Sequence, residues 1–339
     1  MNIYLTAQSS LDVVRYLRSV GTGRIEGTAS RSKSLSNAVA GARQLHELDA
    51  DAERLLSHVE GPIQAYVPDA HHITRTKGLV TRLWSGRVPA GTFINVGHGV
   101  CISSPASIFV QLANSLTLAE LLAVGMELCG NYSLWSLPPS SVGKVSRRSG
   151  RDVTFKLLPA ATPARIASYV DRAEGVRGHA AAKRALAWLT GNAASPMETA
   201  VYLLLCLSRK EGGYGLPKPT LNPKLTVATP DGKETRYPDL YWEARSIDVE
   251  YQSDYAHSGD WSRYRDSRRA VSLIAANVTV VPLTRPQVMD AQEFERFAQG
   301  VRKLVGARNR TLAPDWSLHR DELRRALLPS LGSGDALGW

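Results

Sequence analysis

The stretch Tyr237 to His257, YPDLYWEARSIDVEYQSDYAH, opens on Pro238-Asp239, turns, and returns through the alternating run Ile247-Asp248-Val249-Glu250-Tyr251-Gln252. Residues two apart in a strand share a face, so Asp248, Glu250 and Gln252 point one way and Ile247, Val249 and Tyr251 the other. Asp239 and Glu250, on neighbouring strands, are placed to converge on one cation. Hard oxygen ligands without a supporting Cys or His suit Mg²⁺ or Mn²⁺.

Working outward, Ser195-Pro196-Met197-Glu198 precedes the apolar run Thr199 to Leu207. Ser at the N-cap, Pro at the first helical position and Glu three residues after the Ser start a helix with a capping box. The helix is apolar nearly all round, which predicts burial, and it stops at Gly212-Gly213. Leu225 to Ala228 reads as a strand, Pro230-Asp231-Gly232 as a turn, Thr235 to Trp242 as a second strand and Ile247 to Gln252 as a third. A helix over Trp261 to Ala276 and a β-branched strand over Val278 to Leu283 follow. The order is helix, three-strand meander, helix, strand.

That order, with PD and then E-x-Q on two strands, resembles the PD-(D/E)XK nuclease superfamily. It is most similar to the small domains of unknown function related to the very-short-patch-repair endonuclease. The matching residues are Glu198 in the SPxE helix start, Arg236 with Asp239, Glu250 with Gln252, then His257, and Asp266 with Arg269 on a helix. The likeness runs from Ala194 to Thr284, and it rests on the ordered set rather than on any one motif. It implies a restriction-endonuclease-like αβββαβ core. Asp239, Glu250 and Glu198 would be the metal ligands, with Gln252 and His257 beside them in catalysis. One departure stands out: Gln252 occupies the lysine position of E-x-K. Gln can hold a water by hydrogen bonding but brings no positive charge, and some members of the superfamily resemble this chain in having Gln there.

Each residue also has a plainer reading. Glu198 equally closes a capping box. Asp239 also reads as the end of a turn after Pro238, although a carboxylate inside a strand is disfavoured. Glu250 lies between Val249 and Tyr251 in a strand buried on one side, which argues against a purely solvated role. Gln252 also reads as satisfying backbone groups at a strand end, and His257 as an ordinary surface histidine. Asp266 and Arg269 are spaced for a local ion pair on a helix.

The chain has 339 residues, 43% hydrophobic and 21% charged, with a net charge of +10. The balance of apolar and charged residues fits a globular protein of two or three domains, and the basic excess suits a polyanionic partner. Three cysteines in no C-x-x-C spacing point to neither a disulfide framework nor a zinc knuckle, and to a reducing cytoplasm. No apolar run is long enough to span a bilayer, and MNIYLTAQSS lacks the features of a signal peptide. The expected location is cytoplasmic, with no membrane partner.

Toward the N-terminus, Ile3 to Leu5 reads as a strand, Ser9 to Arg18 as a helix capped by Ser9 or Ser10, and Gly21 to Ser36 as a loop. Ala38 to His58 has helical spacing. Ile63 to Val67, Val80 to Leu83 and Thr92 to Val96 read as short strands. Ser104-Pro105 then starts a helix through Leu116, and Leu118 to Leu128 forms another. The run Ser103-Ser104-Pro105-Ala106 loosely resembles the N-terminal region of bacterial abortive-infection antitoxin-like proteins, and it reads equally as a simple helix cap. Ser136 to Arg151 is basic and polar, as a linker would be, and Ala164 to Thr190 is helical. Arg263, Arg265, Arg268 and Arg269, with Arg236, are the candidates for phosphate contact. Past Thr284, Asp290 to Val305 reads as an amphipathic helix, and Arg320 to Leu328 as a short helix in a fraying tail.

The predicted organisation is α/β (α+β). A mixed α/β, antitoxin-like domain spans 1–135, a basic linker and helix 136–190, an endonuclease-like domain 191–306 and a tail 307–339. The expected activity is Mg²⁺- or Mn²⁺-dependent hydrolysis of nucleic acid, with DNA as the expected substrate, in a bacterial defence or toxin–antitoxin-like setting. The alternative is a nuclease fold that has lost catalysis and acts as a DNA-binding regulator or antitoxin.

Overall fold

Ile3-Tyr4-Leu5 is buried at all three positions, as suits an inner strand, and it lies inside a mixed sheet. The protein's structure, a computed structural model, describes residues 2–21, 25, 27–29, 35, 38, 48–84, 87–135, 152–229, 232–252, 271, 273, 276–308 and 314–328. The chain divides into two units, one up to Gly191 and one from Asn192 onward. Both mix helices with sheet, an α+β architecture.

In the first unit, β1 (Ile3–Leu5), β2 (Thr28–Ala29), β3 (Ile63–Val67), β4 (Leu79–Leu83), β5 (Phe93–Asn95) and β6 (Val100–Ser103) form a sheet ordered β2-β5-β6-β1-β3-β4. β1 runs antiparallel to β3 and parallel to β6. The helices are α1 (Ala7–Val20), α2 (Ala50–Leu56), α3 (Pro105–Leu112), α4 (Leu118–Leu128), α5 (Pro163–Arg172) and α6 (His179–Ala185). α1 begins after Thr6, earlier than Ser9 or Ser10. Those serines face the sheet instead: Ser10 Oγ donates to the Leu5 carbonyl at 3.2 Å and accepts from the Ser103 N–H at 2.8 Å. Ser104 does cap α3, accepting from the Ser107 N–H.

A buried charge pair ties α1 to α4. Arg15 Nη2 lies 2.6 Å from Glu127 Oε2, with Arg15 Nε 2.9 Å from Oε1. Burial alone disfavours the charged guanidinium, but the adjacent Glu127 carboxylate outweighs it and holds the Arg15 pKa above its ordinary value. Arg18, also buried, donates to the carbonyls of Glu127, Gly130 and Leu158.

β7 (Tyr132–Trp135) pairs antiparallel with β8 (Asp152–Phe155). Residues 136–151, expected as a basic linker, lie outside the described residues. The helical stretch after them also belongs to the first unit. Four-residue strands such as these are too short for alternation to betray them.

The second unit starts with α7 (Pro196–Cys206), buried along almost its whole length. β9 (Thr220–Leu221) follows, then the hairpin of β10 (Leu225–Thr229) and β11 (Gly232–Arg236), then β12 (Leu240–Trp242), β13 (Ile247–Gln252) and β14 (Thr279–Thr284). The four-stranded sheet is ordered β14-β13-β12-β9, while β10 and β11 form a sheet of their own. The first strand of the meander is therefore β9, not Leu225 to Ala228, and Thr235 to Trp242 is not one strand. Pro238 has no N–H to give a ladder, so the chain breaks at Tyr237-Pro238-Asp239 between hairpin and sheet. The helix expected over Trp261 to Ala276 falls mainly outside the described residues; Val271 and Leu273 are helical.

After β14 come α8 (Arg285–Met289), α9 (Ala291–Leu304), whose N-cap Asp290 accepts from Gln292 and Glu293, and α10 (Trp316–Leu327). The last helix starts earlier than expected because Trp316 is buried, its indole N–H donating to the Gly213 carbonyl at 3.1 Å. Arg324 Nη2 donates to the carbonyls of Val288 and Met289. Up to Leu328, the expected tail is thus a packed part of the second unit.

Candidate functional site

Sheet register builds the site. Leu221, Leu240, Val249 and Val281 lie in one row across β9, β12, β13 and β14. One residue further along lie Asn222, Asp239, Glu250 and Pro282. Asp239 and Glu250 are therefore opposite one another on antiparallel strands, where Cβ atoms are about 4.5–5.5 Å apart and side chains share a face. The Tyr251 N–H, beyond the reach of the β12 ladder, donates to Asp239 Oδ2 at 2.8 Å. That bond anchors the Asp239 carboxylate beside the backbone of Glu250.

Along β13 the polar face grades outward. Asp248 is fully buried, Glu250 half-buried and Gln252 exposed. Asp248 sits opposite Tyr241 and Val280, next to the cluster of Val227, Tyr241, Leu273 and Val278. The acidic row is thus the edge of an apolar floor. Alternation in the sequence already marked Asp248 as sharing the Glu250 face; its depth required the packing of the β10–β11 hairpin.

Glu198 has the capping geometry. Its N–H donates to Ser195 Oγ at 3.1 Å, and Ser195 Oγ donates back to Glu198 Oε1 at 2.9 Å. Oε2 accepts from the Ala194 N–H at 2.9 Å and from Asn222 Nδ2 at 2.6 Å. These bonds engage both carboxylate oxygens of Glu198. Among the described residues no group of three His, Cys, Asp or Glu side chains is arranged to hold a metal ion. What joins Glu198 to the acidic row is Asn222, whose own N–H donates to the Asp239 carbonyl at 3.2 Å. Asn222 went unrecognised in the sequence.

Arg236 ends the β11 strand with its guanidinium paired to Glu234 on the same strand, so a phosphate would have to compete with that carboxylate. His257, Arg263, Arg265, Arg268 and Arg269 lie outside the described residues. Burial pushes the Cys101 and Cys129 thiols up to about 11 and about 12, and Cys206 upward as well. Burial of this kind works against thiolate formation at all three.

Two carboxylates side by side at a sheet end are a donor set that fits Mg²⁺ or Mn²⁺, which complete their coordination with water and phosphate oxygens. No helix of the described residues is long and apolar enough to cross a membrane. The chain matches no protein-family model, no curated protein and no solved structure.

Proposed function

We propose that the second unit is a metal-dependent nuclease of the PD-(D/E)XK kind, cleaving phosphodiester bonds in DNA in a bacterial defence or toxin–antitoxin-like setting. The observation that supports this most is the juxtaposition of Asp239 and Glu250 on adjacent antiparallel strands, with Asp239 held in place by the Tyr251 N–H. The described topology supports this reading: a buried helix, antiparallel β9, β12 and β13, and a parallel β14. Asp239 and Glu250 would hold the cation, which neutralises charge on the scissile phosphate and lowers the pKa of water. Gln252, exposed on the Glu250 face, orients the attacking water through its amide, with His257 as the second candidate for that task. Arg263, Arg265, Arg268 and Arg269 hold the strand by its phosphates. Glu198, which caps the start of α7, is the further candidate for the cation.

Supercoiled plasmid incubated with the protein and Mg²⁺ or Mn²⁺ tests this reading. Nicking or linearisation is expected, and Glu250→Ala and Asp239→Asn should each abolish it while leaving DNA binding mostly intact. Cleavage by Glu250→Ala at the parent's rate would remove the assignment. A second reading, a nuclease fold retained as a DNA-binding regulator or antitoxin, is favoured by Gln252 at the lysine position. It predicts salt-sensitive DNA binding that divalent ions do not alter, and no nicking with any of them.

A further inference from the structure

We infer that Asn222 is a positioning residue, which sets the ion-binding geometry of Asp239 by bolting its strand to the start of α7. The inference rests on the nuclease reading above. Three bonds carry it. The Asn222 N–H donates to the Asp239 carbonyl at 3.2 Å. Its side-chain amide donates to the Asn192 carbonyl at 3.0 Å and to Glu198 Oε2 at 2.6 Å, so both amide hydrogens are used. The backbone at Asn222 has φ +46°, a left-handed conformation that Asn enters more readily than most residues. That twist turns the side chain back toward α7 while the N–H stays on β12. Glu198, anchored by Ser195 and Ala194, is the fixed end of the link and Asp239 the positioned end. Glu198 thereby acquires a role at the site through Asn222.

Outer partners of this sort typically change metal affinity by about 10–100-fold when removed. Asn222→Gly is the informative variant. Glycine accepts the positive φ without strain and keeps the N–H bond to Asp239, but deletes both amide bonds. The experiment is calorimetric titration of the full chain with Mn²⁺, below the unfolding temperature of every variant, beside plasmid cleavage. Asn222→Gly should bind Mn²⁺ about 10–100-fold more weakly, with cleavage largely restored at saturating Mn²⁺. If the parent binds Mn²⁺ and cleaves while Asn222→Gly binds it equally well, Asn222 has no such role and the nuclease reading stands. If the parent neither binds Mn²⁺ nor cleaves, the nuclease reading falls and takes this inference with it.

Discussion

Replacing Glu127 by alanine strands a guanidinium inside the first unit. Arg15 and Glu127 meet at 2.6 Å, with side-chain exposures of 7% and 1%, so water cannot take over from the lost carboxylate. Breaking a buried pair from one side costs about 3–5 kcal/mol. The same carboxylate accepts the Leu134 N–H at 2.9 Å, and orphaning that donor costs about 1–3 kcal/mol more. A whole domain is stable by only about 5–15 kcal/mol, so Glu127→Ala removes a large share of the first unit's stability. Glu127→Gln keeps an acceptor for Leu134 and should lie between parent and Glu127→Ala. The double variant Arg15→Met, Glu127→Met should be more stable than Glu127→Ala, because the Arg15 charge is no longer left inside without its partner. Hydrogen exchange followed by mass spectrometry on peptides from α1 and α4 reports this unit alone. A loss below about 1 kcal/mol for Glu127→Ala, or a double variant no better than the single one, would refute the reasoning.

Two further outcomes are expected. His58 stacks on Tyr16 at 3.6 Å, and its burial, with the charge of Arg54, holds its pKa below the ordinary 6.5. The unfolded chain therefore takes up a proton first as pH falls, and this contribution to stability is present above pH 6.5 and lost between the unfolded and the lower folded value. His58→Phe keeps the stack and should flatten the fall in unfolding midpoint from neutral to mildly acid pH; an unchanged fall would count against it. Gly212 has φ +84°, and a Cβ there would lie 2.2 Å from the His319 carbonyl oxygen on α10. Gly212→Ala should destabilise the second unit by about 1–3 kcal/mol from backbone strain alone, with displacement of α10 in addition. Limited proteolysis after Leu304 reads this out, and cleavage no faster than in the parent would contradict the packing described.

Much of the second unit was legible because its signals are local. Ser195-Pro196-Met197-Glu198 capped a helix as its spacing dictates, Asp290 capped α9, and the alternation of Ile247 to Gln252 put Glu250 and Gln252 on one face. The turn between β12 and β13 was enough to bring Asp239 opposite Glu250. Other features were invisible for physical reasons. β9, β7 and β8 are too short to display a period. The run from Thr235 to Trp242 looks continuous until Pro238 is seen to divide a hairpin from a sheet.

By itself the sequence determined the elements whose cause lies within a few residues: the caps, the alternating β13, the buried α7 and the acidic pair. Only the tertiary structure decided which strand completes the meander and that Glu198 spends its oxygens on Ser195, Ala194 and Asn222. Local signals act through backbone geometry and side-chain spacing, which a sequence displays. The other decisions turn on hydrogen bonds between residues distant in the chain, such as Asn222 to Glu198 or Arg15 to Glu127, and those partners are chosen only when the sheets and helices pack.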